Sequence, residues 1–231
     1  MKTINIKENL FKILEEIEDA KKYSITNEDV TLVAVTKTRT IEEINEVHSL
    51  GIDNIGENKV QELKNKIDLL NNSTINYHMI GNLQTNKVKY IYDKVALIHS
   101  LDRLNLIKEL DKRAKNDNIF INCLIQVNIG DEPQKGGVAY EETESFLEKC
   151  LEYDNVKIKG LMTIAPNVND ELFLRECFQK MFKLKEKIKS KNYKEVEMQY
   201  LSMGMSGDFK IAIEEGSNMV RIGTSIFGSR N

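Results

Sequence analysis

Lys37 closes the apolar run "TLVAVTKT" (31–38), and two later loops carry residues that suit an amine at that place. "SMGMSGD" (202–208) and "RIGTSIFG" (221–228) each follow an apolar stretch, combine glycine with hydroxyls, and open a helix-like segment. A lysine becomes a nucleophile toward carbonyls when burial or a nearby cation lowers its pKa. Ser206 and Thr224 offer hydroxyl hydrogen bonds, Gly223 lets a ligand approach the backbone, and free N–H groups at a helix start favour an anion. Arg221 stands two residues before Gly223 and shares its strand face. An amine beside a phosphate site suits a phosphorylated aldehyde, either pyridoxal phosphate (PLP) or a phosphosugar handled as in a Schiff-base aldolase. If Arg221 donates to a pyridine nitrogen, that nitrogen is not easily protonated and the ring is a poor electron sink. Plainer readings stand beside each of these. The loops could be capped turns, Lys37 could snorkel to water, and Arg221 could sit in an ion pair. Asp208 would repel a phosphate unless it points away.

Such residues need a frame that gathers positions 37, 206 and 221–224. Along residues 31–37, Val33, Val35 and Lys37 share one face, with Leu32, Ala34 and Thr36 opposite. Both faces are apolar up to the end, as in a buried parallel strand. Apolar spacing predicts a first helix over 5–22, with Leu10, Ile13, Leu14, Ile17 and Ala20 on one face. Strands are predicted at 31–36, 53–56, 75–81, 95–101, 120–129, 158–164, 199–204 and 218–223, with helices between them. Asp102 is placed to cap the helix carrying Leu106, Ile107, Leu110 and Ala114. After a polar loop at 130–137, a later helix points Leu174, Cys177, Phe178, Met181, Leu184 and Ile188 inward. Eight strands alternating with helices fit a single (β/α)8 TIM barrel over residues 1–231 with an extra N-terminal helix, an α/β fold. An open doubly wound sheet is the alternative. In a barrel the active face lies at the C-terminal strand ends, and the loops after strands seven and eight often hold phosphate.

Composition narrows the function classes. The 231 residues are 41% hydrophobic and 30% charged, with a net charge of −3. Nothing global points to nucleic acid or an anionic membrane. Cys123, Cys150 and Cys177 are far apart and odd in number, which predicts a reducing, cytoplasmic setting rather than a disulfide framework. The N-terminus has no signal-peptide pattern. His48, His78 and His99 lack zinc-site spacing, and no Gly-rich nucleotide motif occurs.

"LVAVTKT", "IGENKVQE", "YHMIGNLQTNK", "IQVNI", "KGLMTIAP", "LSMGMSGD" and "GSNMVRIGTSIFGSR" together resemble the pyridoxal phosphate homeostasis protein family, from about Leu32 to Arg230. The resemblance implies a single barrel similar to the alanine racemase N-terminal domain. It implies that Lys37 holds PLP as a Schiff base, and that Ser206, Gly223 and Thr224 bind its phosphate. It places Arg221 near the pyridine nitrogen, Asn58 beside the ring, and Met203 and Gly204 on the ring's other side. Family members are PLP carriers or regulators of vitamin B6 and amino-acid pools, with no established catalysis. Tyr77 stands where the family usually has tryptophan, Asn82 where it often has proline, Gly207 in place of an acidic residue, and "KGGV" (135–138) in place of a serine-containing version.

The carrier reading expects a monomer that binds PLP and hands it to apo PLP-dependent enzymes, with no nucleic-acid or membrane partner, no catalytic residue and no metal. The alternative is a racemase-type enzyme. Racemases with a similar barrel carry a second domain that supplies an opposing tyrosine, and a chain ending at Asn231 leaves no length for one. The carrier is therefore the expectation.

Overall fold

A computed structural model describes residues 5–132 and 135–228. Pro133 and Gln134 of the 130–137 loop, and residues 229–231, lie outside the described residues. Helix α1 (Ile6–Lys21) precedes strand β1 (Thr31–Val35) and helix α2 (Ile41–Ser49). Strand β2 (Asn54–Glu57), helix α3 (Val60–Leu70), strand β3 (Asn76–Met79) and a 3₁₀ turn (Thr85–Tyr90) follow. Then come strand β4 (Leu97–Leu101), helix α4 (Leu104–Asp117), strand β5 (Ile121–Asn128), the short strand β6 (Val138–Ala139) and helix α5 (Thr143–Cys150). Strand β7 (Val156–Thr163), helix α6 (Glu171–Ser190), strand β8 (Val196–Ser202), helix α7 (Phe209–Glu214), strand β9 (Met219–Ile222) and helix α8 (Thr224–Phe227) complete the order.

The strands form a closed parallel ring in the order β1-β2-β3-β4-β5-β7-β8-β9, shut by the β4–β5 and β1–β9 pairings. Eight strands with helices between them make the expected (β/α)8 barrel, and the open sheet is set aside. The two-residue β6 lies outside the ring, beside the end of β5. Because every strand in the ring is parallel, each crossover must run back outside the ring, which leaves the strands buried on both faces. Val33, Leu97, Leu124, Met162 and Met219 fill the interior. Leu32 and Ala34 join the larger core between the ring and the helices, so the alternation read along β1 holds.

The helices form where their apolar faces and caps direct. Buried Ile6, Leu10, Ile13, Ile17 and Ala20 turn α1 onto the ring's helical layer, where it meets α2, α7 and α8. Leu14, expected on that face, is only partly buried. Thr40 and Glu43 form a capping box at the start of α2. The Asp102 cap is corrected: Arg103 is the N-cap of α4, and the Asp102 carboxylate instead accepts a hydrogen bond from the Arg103 guanidinium at 2.5 Å. All six residues expected to point inward from α6 are buried.

Candidate functional site

A cavity of about 270 Å³ opens at the C-terminal ends of β1, β2, β3, β7, β8 and β9. Its lining includes Val35, Lys37, Arg39, Asn58, Ile80, Ile164, Met205, Ser206, Gly207, Arg221, Gly223 and Thr224. Six positions singled out in the sequence therefore share one cavity: Lys37, Asn58, Ser206, Arg221, Gly223 and Thr224. Met203 and Gly204 do not line it. Met203 is fully buried in the outer core, and its N–H donates to the Met219 carbonyl at 3.1 Å, continuing the sheet. Gly204 has φ +95°, and a Cβ there would stand 2.7 Å from the Ala212 Cβ, so it serves the turn and its packing. Met205 and Gly207 reach the cavity instead.

Each wall has a local cause. Lys37 follows β1 on the face of Val33 and Val35, which keeps its stem on the interior side. Gly81 brings β3 close to Asn58, since a Cβ there would lie 2.3 Å from the Asn58 carbonyl oxygen. Ser206 Oγ accepts from the Ser225 N–H at 3.3 Å, which ties the two small-residue loops together. Asp208 does not line the cavity, and its carboxylate accepts from the Met205 N–H at 2.5 Å. Burial pushes its pKa up, while that hydrogen bond and Arg221 pull it back.

Arg221 is 4% exposed, and burial pushes its pKa down to about 10, with Asp208 opposing. Its Nη1 donates to Ser202 Oγ at 2.6 Å and its Nη2 to the Thr163 carbonyl at 2.8 Å. A guanidinium has about five N–H donors, so others remain for a ligand. Behind Arg221 a file of polar groups runs down the interior. His99 Nδ1 lies 3.1 Å from Ser202 Oγ, His78 Nδ1 lies 2.9 Å from His99 Nε2, and His78 Nε2 lies 3.1 Å from Asn54 Oδ1. Burial sets the protonation: it pushes His78 down to about 4, and with His78 and Arg221 nearby it holds His99 well below its usual range. Both imidazoles are then neutral, each with one donor and one acceptor nitrogen. With the Asn54 amide oxygen accepting from His78, His78 accepts from His99, and His99 from the Ser202 hydroxyl. The file ends at a polar cavity of about 420 Å³ at the opposite mouth of the barrel, lined by Asn54, Asn76, His78 and Gln199 among others.

Two features escaped the sequence reading. Arg39 lines the cavity, with Nη2 donating to the Gly228 carbonyl at 2.6 Å. The signal was its place two residues after Lys37. His78 and His99 lack metal-site spacing in the sequence, yet they back Arg221 through Ser202.

The site can hold an anionic, aromatic group. It offers hydroxyl and glycine loops for a phosphate, a cation deep in the wall, an amine, and apolar Val35, Ile80 and Ile164. Among the described residues Asn58 Oδ1 is buried without a hydrogen-bond partner, an acceptor that a bound ligand could satisfy.

This combination defines a barrel of the alanine racemase N-terminal domain type, and that family's profile matches residues 9–231. Within that class the chain belongs to the pyridoxal phosphate homeostasis protein family. It is 44% identical over 228 residues to the pyridoxal phosphate homeostasis protein of Aquifex aeolicus, covering 98% of this chain and 99% of the relative. It is 37% identical over 232 residues to that of Vibrio alginolyticus, covering 98% of each. Among solved structures, PipY of Synechococcus elongatus with PLP bound superposes with a TM-score of 0.84 at 26% identity, covering 97% of this chain and 100% of that one. Alanine racemase of Clostridium difficile shares the fold, with a TM-score of 0.76 at 14% identity, and this chain covers 57% of it.

Proposed function

We propose that this protein binds PLP, holds it as a Schiff base on Lys37, and acts in PLP homeostasis as a carrier or regulator rather than a catalyst. The observation that carries this reading is the convergence of Lys37, Arg221, Asn58, Ser206, Gly223 and Thr224 on one cavity. PLP supplies an aldehyde, which condenses with an amine and releases water. Ser206, Gly223 and Thr224 are assigned to its phosphate, Arg221 to its ring nitrogen and Asn58 to its ring substituents. Met203 acts behind this wall, and Gly204 shapes the loop.

The lining favours a carrier. Among the described residues, the titratable side chains that line the cavity are Lys37, Arg39 and Arg221. Arginines stay protonated, so neither is a second base to oppose Lys37, as a racemase requires. The recipients in this reading are apo PLP-dependent enzymes, and the protein works as a monomer in the cytoplasm. Its three buried, free thiols suit that setting. Among the described residues no helix is long and apolar enough to cross a membrane.

Purified protein mixed with PLP should show a visible absorbance band and a borohydride-fixed lysine that maps to Lys37. Lys37→Ala should be colourless after dialysis, and a covalent adduct retained by that variant would overturn the assignment. Sustained racemisation of amino acids at roughly 1 per second or more would favour the enzyme instead.

A further inference from the structure

The segment that carries Lys37 is an unusual place for a precisely delivered amine. The Arg39 N–H donates to the Thr36 carbonyl at 2.9 Å, so Thr36–Arg39 is a β-turn with Lys37 and Thr38 at its centre. Thr38 has φ +65°, a left-handed value that a turn's third residue normally reaches as glycine or asparagine. A β-branched residue there is strained and persists only when its surroundings hold it.

What holds it is a charged cluster on the other side of the strand. Lys66 Nζ donates to the Thr36 carbonyl at 2.7 Å, to Glu57 Oε1 at 2.6 Å and to Glu62 Oε1 at 2.7 Å. The Thr36 hydroxyl donates to Glu57 Oε1 at 2.5 Å, and the Thr38 N–H donates to Glu62 Oε1 at 2.5 Å. Both chain neighbours of Lys37 are thus tied to one cluster. Thr36 and Glu57 are fully buried and Lys66 is 6% exposed. Burial raises the Glu57 carboxyl despite Lys66 and Thr36. For Glu62 burial also pushes upward, but Lys66 and the Thr38 N–H outweigh it and the net direction is down. None of these three charged residues lines the cavity.

We propose that Glu62, Lys66 and Glu57 are positioning residues that fix where the Lys37 amine is delivered. Covalent capture of an aldehyde then depends on them, while the grip on the phosphate end does not. This rests on the PLP reading above. The two ends of the ligand are held by separate parts of the fold. Ser206, Gly223 and Thr224 sit on the loops after β8 and β9, whereas the clamp joins β1 and β2 to α3.

The test compares two ligands. PLP carries the aldehyde; pyridoxine 5′-phosphate has the same ring and phosphate without it. In Glu62→Met the Thr38 N–H loses its acceptor, and PLP affinity should fall about tenfold or more, with affinity for pyridoxine 5′-phosphate changed less than about twofold. Glu62→Gln keeps an acceptor and should restore most of the PLP affinity. The clamp is refuted if both ligands weaken equally, if neither weakens, or if Glu62→Gln behaves like Glu62→Met. Glu62 is 23% exposed at its side chain, so its variants should fold, and their melting curves check this. Failure of the underlying reading looks different: the wild type itself would then give no borohydride-fixed adduct at Lys37.

Discussion

The polar file behind Arg221 carries one permanent charge on a string of neutral groups, whereas the cluster behind Lys37 gathers a lysine and two glutamates around a single bend. Both are buried, and both back a residue of the same cavity. They differ in what surrounds them. The file runs through the barrel interior beside Val33, Leu97, Leu124, Met162 and Met219. A second charge there would have no counterion, and the imidazoles stay neutral. The cluster lies between the ring and α3, where Glu62 keeps some contact with water. Opposite charges can pair there, provided that each is hydrogen-bonded. The contrast shows two ways to hold a residue without adding a titratable group to the cavity: an oriented chain of dipoles for the cation, and an ion cluster for the amine's backbone.

Removing one partner of the cluster should produce the largest effect. Lys66→Met leaves Glu57 buried opposite an apolar chain, and breaking such a pair costs about 3–5 kcal/mol. Urea unfolding at neutral pH should show this. Replacing both partners, Lys66→Met with Glu57→Leu, should recover much of the loss, because an apolar pair carries no unpaired charge. Without Lys66 the Glu57 carboxyl, already raised by burial, binds its proton more tightly when folded. The single variant should therefore be least impaired at mildly acidic pH and lose stability as pH rises. A loss below about 1 kcal/mol at neutral pH would place this cluster with ordinary surface ion pairs.

Acid should attack the other network. His78 titrates near 6.5 when unfolded and at about 4 when folded, because burial disfavours its cation. A lowered folded pKa means stability that is complete above the unfolded value and is lost as pH falls from about 6.5 toward 4. The size is ~3 kcal/mol at about 1.4 kcal/mol per pKa unit. His99 is shifted in the same direction. In His78→Gln that portion of the acid dependence should vanish, leaving a flatter profile between pH 7 and 4 by roughly this amount. An unchanged profile would mean that the file is not neutral in the folded state.

These networks mark where sequence reading stopped. The barrel was legible because short apolar runs, the first of them apolar on both faces, alternate with segments of helical period. Lys37, Arg221 and the two loops were legible because a charged or small residue at the end of such a strand must face the mouth. The supports were not. Lys66 is one of several lysines around α3, and nothing in its spacing from Glu57 shows that it turns inward. His78 and His99 are twenty-one positions apart, and they meet only because β3 pairs with β4. Met203 and Gly204, expected beside the ligand, do not line the cavity. β8 continues its ladder through Met203 before the chain turns, so the cavity begins at Met205.

The smallest effect belongs to a polar group that neither network reaches. Tyr77 lies in β3, one residue from His78, but its side chain points to the outer core, where it is 5% exposed. Its hydroxyl is buried with no hydrogen-bond partner among the described residues, and burial pushes its pKa up. A buried hydroxyl without a partner costs its lost hydration and returns nothing. Tyr77→Phe should therefore be neutral or stabilising by up to ~1 kcal/mol in thermal unfolding, with PLP retention unchanged. His78 is 3% exposed and equally deep, yet its removal should be felt because every nitrogen is tied. Two adjacent residues on opposite faces of one strand thus separate the effect of burial from that of connection. If Tyr77→Phe instead costs more than about 1 kcal/mol, the hydroxyl has found a partner, and the pair no longer separates depth from connection.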